Sequence, residues 1–143
     1  MKFTFFADEN RDEVIVYAKE QSSLVNKIKD IALGYEQHLI GYIENEKVII
    51  DIDSVYCFTV ENNKVYAVTE KNRYKLRTRL YQIEENLPEN FVKLNQSCVA
   101  NINYIERFIA TMSASLMVRF KNGYEEYVSR RQLKSVKERM GLY

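Results

Sequence analysis

Apolar and polar positions alternate with a period of two along most of this chain and change to helical spacing in only three stretches. Lys2 to Ala7 and Val14 to Ala18 are β-branched and aromatic runs on either side of the acidic turn DENRDE, so both are expected as strands. Leu24, Ile28 and Ile31 to Ala32 then recur at helical spacing, with Ser22 or Ser23 as cap and Gly34 as stop. Leu39 to Ile43 and Lys47 to Ile52 follow as strands flanking Glu44, Asn45 and Glu46. Ile52 to Val60 and Val65 to Thr69 flank Glu61-Asn62-Asn63-Lys64, a hairpin whose turn suits residues that accept positive φ. Tyr74 to Arg77 adds a strand, and Leu80, Ile83, Glu84 and Leu87 predict a short amphipathic helix ended by Pro88, its apolar side on the sheet.

From Phe91 the strand pattern returns. Phe91 and Leu94 turn inward and Lys93 outward, which leaves Lys93, Asn95 and Gln96 at an exposed end. Val99, Ala100 and Ile102 carry the chain back into the core. Glu106 to Ala110, Leu116 to Phe120 and Tyr124 to Val128 are the last strands, with Asn122-Gly123 the strongest hairpin turn in the sequence. Ser129 can cap a final helix with Leu133, Val136 and Met140 on one face and Arg131, Lys134, Lys137 and Arg139 largely on others. The pattern as a whole predicts a mainly β fold with α additions (α+β): a small N-terminal α/β extension over residues 1–43 and a larger domain over residues 44–143.

Composition narrows the class. The chain has 143 residues, 46% apolar and 29% charged, with one Pro and four Gly, as expected of a folded domain without staples. No apolar run has the roughly 18 residues of a membrane span, and the start is followed by Asp8, Glu9, Asp12 and Glu13, so a cytoplasmic protein without signal peptide or anchor is expected. Cys57 and Cys98 sit in apolar strand-like runs and are expected as buried thiols. His38 is the one histidine, and nothing around it has the spacing of a triad or metal site, so it is expected as a surface residue. No nucleophile–base pair or phosphate-cradling glycine loop is present, and the expectation is a non-enzyme without cofactor, metal or small-molecule substrate.

Charge locates the surface of interest. The formal net charge is +1, but residues 1–43 hold five Lys/Arg against seven Asp/Glu, and residues 91–143 hold nine against four. The C-terminal part is the basic one, as a phosphate-facing surface requires. DNA is held by cations on phosphates and read by forked donors and amides on base edges, so a reader needs both close together. Phe91 to Asn103, FVKLNQSCVANIN, sets such residues beside an apolar strand, and Lys93, Asn95, Gln96 and Arg130 form the set.

That stretch resembles the signature of the LytTR family of DNA-binding domains, Phe-x-Arg-x-His-Arg-Ser-x-Ile/Val-Val-Asn, followed about thirty residues later by Val-Ser-Arg before a last helix. The second block here is Val128, Ser129, Arg130. The hairpin VYCFTVENNKVYAVT, the helix LYQIEENLP and the end VRFKNGYEEYVSRRQLKSVKERMG extend the likeness over residues 44–143. The resemblance implies stacked antiparallel sheets that place loops, rather than a helix, into successive major grooves of tandem promoter sites on double-stranded DNA. By motif match, Asn95 takes the family's His position, Gln96 its Arg/Asn position, Ser97 its Ser and Arg130 the Arg after Val-Ser. Lys64 is a looser match to a third contact, and Arg131 a solvated neighbour within reach of phosphate. The sequence departs from the pattern at Lys93 for Arg, Asn95 for His and Ala100 for Val.

The expected protein is thus a sequence-specific transcriptional regulator acting as a homodimer. The alternative is a protein-interaction module that retains the fold without DNA binding. The N-terminal segment is too short for the receiver domain that precedes many family members. Residues 1–43 are expected either to receive a partner, with a restraining membrane protein as the first candidate antagonist, or to extend the sheet or form the dimer contact.

Overall fold

The computed structural model describes residues 2–11, 13–32 and 38–142, and divides the chain into two compact units, Met1–Gln37 and His38–Tyr143. The expected helix stop at Gly34 and the side chain of His38 lie outside the described residues.

In the first unit the two expected strands, Lys2 to Ala7 and Val14 to Ala18, are absent: neither run is a strand or has a ladder partner. Phe3, Phe5, Phe6, Val14, Ile15 and Tyr17 are all more than half exposed. β-propensity measures how well a side chain fits a pleated, half-buried surface, and no such surface pairs with these runs here. The helix is where its apolar spacing predicts it. Helix α1 spans Ser23–Ala32, its first turn capped by the Ser22 hydroxyl oxygen, which accepts from the Val25 amide at 3.3 Å. None of its residues is buried, and Leu24 and Ile31 stand exposed.

The second unit is mostly β, as expected. Strands β1 (His38–Ile43), β2 (Glu46–Asp51), β3 (Cys57–Glu61), β4 (Lys64–Val68), β5 (Arg73–Leu76), β6 (Phe91–Asn95) and β7 (Cys98–Asn101) form one antiparallel sheet in the order β2-β1-β5-β4-β3-β7-β6. Strands β8 (Ile105–Ala110), β9 (Leu116–Phe120) and β10 (Glu125–Val128) form a second. Strand β1 belongs to the large sheet, so this unit begins at His38 rather than at residue 44. Helix α2 (Leu80–Glu84) ends one turn earlier than Pro88 suggests, and α3 (Arg130–Met140) stops at Gly141, whose φ of 68° is the left-handed value of a helix C-terminus.

Both faces of the large sheet are covered, and the period of two sorts its residues between two cores. Cys57, Val92, Leu94, Cys98 and Ala100 face Leu116, Val118 and Phe120 of β9, Val128 of β10 and Val136 of α3. Phe58, Val65, Ala67, Leu76, Phe91 and Val99 face the other way, under Leu80 and Ile83 of α2 and with Ile50 of β2. Each fully buried side chain of this size contributes about 1.5–3 kcal/mol, so the two cores fix which way every strand faces. Gly41 makes room where β1 lies against its neighbours: a Cβ there would sit 2.7 Å from Tyr74 Cβ. The two thiols are free and buried, as expected.

Candidate nucleic-acid interface

Three chain reversals meet at one end of the second unit. The first is the β3–β4 turn, where Asn62 and Asn63 take φ of 52° and 62°; asparagine tolerates this left-handed region, and the turn presents Lys64. The second joins β6 to β7 and exposes Gln96 and Ser97. The third is the junction of β10 with α3, which exposes Arg130 and Arg131.

Hydrogen bonds between the reversals fix them as one surface. The Val60 amide donates to Ser97 O at 2.8 Å, which ties the first turn to the second. The Ser129 amide donates to Leu94 O at 2.9 Å, which ties the second to the third. Ser129 occupies the N-cap position of α3 as expected, but its hydroxyl makes no cap bond. Asn95 completes the join. Its Nδ2 donates to Tyr127 O at 2.9 Å and to Glu126 Oε1 at 3.1 Å, while its Oδ1 accepts from the Ser97 amide at 2.8 Å.

Asn95 is therefore not at an exposed end: it is 1% accessible. The cause is a register shift between Lys93 and Asn95 in the β6–β7 ladder. Strict alternation would put Asn95 on the face of Lys93, whereas the bulge turns it over with Leu94 toward β10. Of the sequence-derived set, Gln96, Ser97, Arg130, Arg131 and Lys64 are exposed, and Lys64 lies on the turn joined through Val60 to Ser97. Lys93 stands apart on the opposite face, its Nζ 3.5 Å from Glu84 Oε1 on α2.

The charges around the reversals are sorted. Among the described residues no carboxylate lies within ion-pair distance of Lys64, Arg130 or Arg131. Glu61 is matched by Arg73 at 2.6 Å, and the guanidinium rests 4.7 Å from the Tyr66 ring centre. The hydrogen bond to Glu61 raises the pKa of Arg73 further above its already high ordinary value. Glu126 is turned inward, with Oε1 on Asn95 and Oε2 accepting from the Tyr124 hydroxyl at 2.9 Å. Burial, reinforced by the Glu126 carboxylate, pushes the proton loss of Tyr124 well above its ordinary 10.0. Glu61 and Glu126 thus each have a partner within the protein, whereas Lys64, Arg130 and Arg131 have no carboxylate partner among the described residues.

Sequence reasoning missed Arg77. Leu76 pairs with Val65 in the β4–β5 ladder, so Arg77 follows beside Lys64 on the same end of the sheet. It is exposed and its guanidinium lies 4.1 Å from the Tyr42 ring centre. The ladder register was the signal, and it is not readable from the run Tyr74 to Arg77 alone.

Residues 45–141 match the family model of the LytTr DNA-binding domain. The chain belongs to the LytTr DNA-binding domain family. A relative from Staphylococcus aureus strain NCTC 8325 / PS 47, described as an uncharacterized HTH-type transcriptional regulator, is 32% identical over 148 residues, covering 99% of each chain. Proteins of the same description from strains COL and N315 match equally. Among solved structures, a LytTr DNA-binding domain of a response regulator from Bacillus cereus superposes with a TM-score of 0.69 at 17% identity, over 74% of this chain and 98% of that one. That likeness is one of fold. In this LytTr chain α2 and α3 are separated by the five strands β6 to β10, so they do not form a consecutive helix pair. Among the described residues no helix is long and apolar enough to cross a membrane.

Proposed function

We propose that this LytTr protein is a cytoplasmic transcriptional regulator that binds double-stranded DNA sequence-specifically through its loops, as a homodimer on tandem promoter sites. The observation that carries the reading is the single surface formed by the three reversals, where Lys64, Gln96, Ser97, Arg130 and Arg131 are exposed together and held by main-chain hydrogen bonds. The relatives' description as transcriptional regulators supports it. Arg130 reads a base edge with its forked donors, and Gln96 does so with its amide. Lys64 and Arg131 hold phosphates, and Arg77 extends the basic edge. Two protruding turns and the helix start fit neighbouring stretches of major groove. Asn95 shapes the surface from beneath. Lys93, paired with Glu84 on the opposite face, lies outside this surface.

The exposed apolar residues of the first unit support a protein contact there, either with a second copy or with a restraining membrane protein. The test of the main reading is fluorescence anisotropy with promoter DNA at two salt concentrations. Arg130→Ala is expected to weaken specific binding by about 1–3 kcal/mol with unchanged melting. Lys64→Ala is expected to lower affinity for all sequences alike and to make the salt slope shallower by about one unit. If wild type binds no duplex, the protein is an interaction module instead, and if it binds while neither variant differs from it, the contacts lie on another surface.

A further inference from the structure

Strand β2 is an edge of the seven-stranded sheet and differs from β6, its opposite edge, and from β8, an edge of the small sheet. The opposite edge, β6, carries the bulge between Lys93 and Asn95 and is met by Ser129 and the start of α3. At the edge of the small sheet, β8 is irregular between Ile105 and Arg107. Such bulges blunt an edge against pairing with another chain. Strand β2 has none: its ladder with β1 runs six residues without a shift, from Glu46 opposite Ile43 to Asp51 opposite His38. It contains neither Pro nor Gly. Beside Val48–Asp51 lies an open groove of about 530 Å³.

One face of this edge is built to match itself. Lys47, Ile49 and Asp51 are exposed on it, and Ile49 is 70% accessible although it is apolar and lies mid-strand. Its cross-strand neighbour on β1, Ile40, is 44% accessible, so the two make an apolar pair open to solvent. In a continuous sheet, directly opposed residues share a face, so a two-fold axis between two antiparallel copies of β2 must pass through a residue and not between residues. Centred on Val48, the pairing sets Lys47 against Ile49. Centred on Ile50, it sets Ile49 against Asp51. Centred on Ile49, it sets Ile49 against Ile49 and Lys47 against Asp51 on both sides, while Val48 meets Ile50 on the more buried face. Only the last register opposes apolar to apolar and cation to carboxylate.

We infer that β2 is a self-association surface, pairing antiparallel with β2 of a second copy in the register centred on Ile49. This deepens the homodimer part of the proposed function by naming its contact, and it needs no DNA for its measurement. One strand pair with four flanking isoleucines is a small interface, so the dimer forms weakly and becomes stable where two copies are held on adjacent sites.

Sedimentation of the full chain tests it. Wild type is expected to move from 17.0 kDa toward twice that mass over tens of micromolar. Ile49→Lys, Lys47→Asp alone and Asp51→Lys alone are each expected to remain monomeric with folded circular dichroism spectra. An equimolar mixture of Lys47→Asp with Asp51→Lys restores Lys–Asp opposition on both sides and is expected to recover the dimer, a rescue that mere misfolding would not give. A wild-type chain that stays monomeric overturns both the surface and the homodimer reading. Dimers that persist in Ile49→Lys, or a mixture that stays monomeric beside a dimeric wild type, overturn the surface and leave the homodimer to another contact.

Discussion

Both ends of the Asn95 amide are engaged within the protein, which separates its role from that of its neighbour Gln96. Removing a buried hydrogen-bonded amide leaves Tyr127 O, Glu126 and the Ser97 amide without their partner, at a cost of about 1–3 kcal/mol. Asn95→Ala is therefore expected to lower the melting temperature and to weaken DNA binding together, because the β6–β7 turn loses its anchor. Gln96→Ala, on an exposed side chain, is expected to weaken binding at unchanged melting temperature. Thermal denaturation beside anisotropy measures both, and a stable Asn95→Ala protein would show that the anchor is dispensable. Tyr124 carries a second expectation. The fold favours its neutral phenol, so its contribution is intact below pH 10.0 and is lost as the pH rises further, where the unfolded chain releases a proton that the folded chain keeps. Tyr124→Phe is expected to lose stability less steeply above pH 10.0 in denaturant titrations, and a slope equal to wild type would assign the alkaline loss to other groups.

At the scale of elements, legibility followed the origin of each signal. Strands β3, β4, β9 and β10 and their turns were readable because Asn62-Asn63 and Asn122-Gly123 supply positive φ locally, and the chain adopts it at Asn62, Asn63 and Gly123. Helix α3 was readable from one apolar stripe, of which Val136 is fully buried. The two N-terminal runs misled because strand propensity says nothing about whether an edge is available to pair with, and none pairs with them. Gln96, Arg130 and Lys64 were legible as residue types, and the fold brings them to one surface. The burial of Asn95 and the position of Arg77 beside Lys64 were not legible, since a bulge and a ladder register are properties of two strands at once.

At the scale of the molecule, the two units have unequal means of support. Both core clusters are built within the second unit, and the first has no buried residue on α1 and large apolar side chains in solvent along its two N-terminal apolar runs. Deleting residues 1–37 is expected to leave melting temperature and single-site DNA affinity within error of the full chain, while any response to a protein partner of that segment is lost in a reporter strain. A truncated protein that unfolds would show that the segment completes the fold. One that stays fully regulated would move the partner contact onto the second unit.

The bonds that join the three reversals also set an order in time. Asn95 meets Glu126 and Tyr127 across 31 and 32 residues of chain, and the Leu94–Ser129 and Val60–Ser97 links are comparably distant. The hairpin turns close within a few residues and meet no such loop-closure entropy, so they are free to form early on refolding. The surface proposed to read DNA is then completed only after the hairpins that carry it. In stopped-flow refolding with labelled duplex present, binding is expected to lag the circular dichroism signal, and coincident phases would remove that order. A newly made chain would on this account pass through a stage with most of its strands formed and no capacity to occupy a promoter.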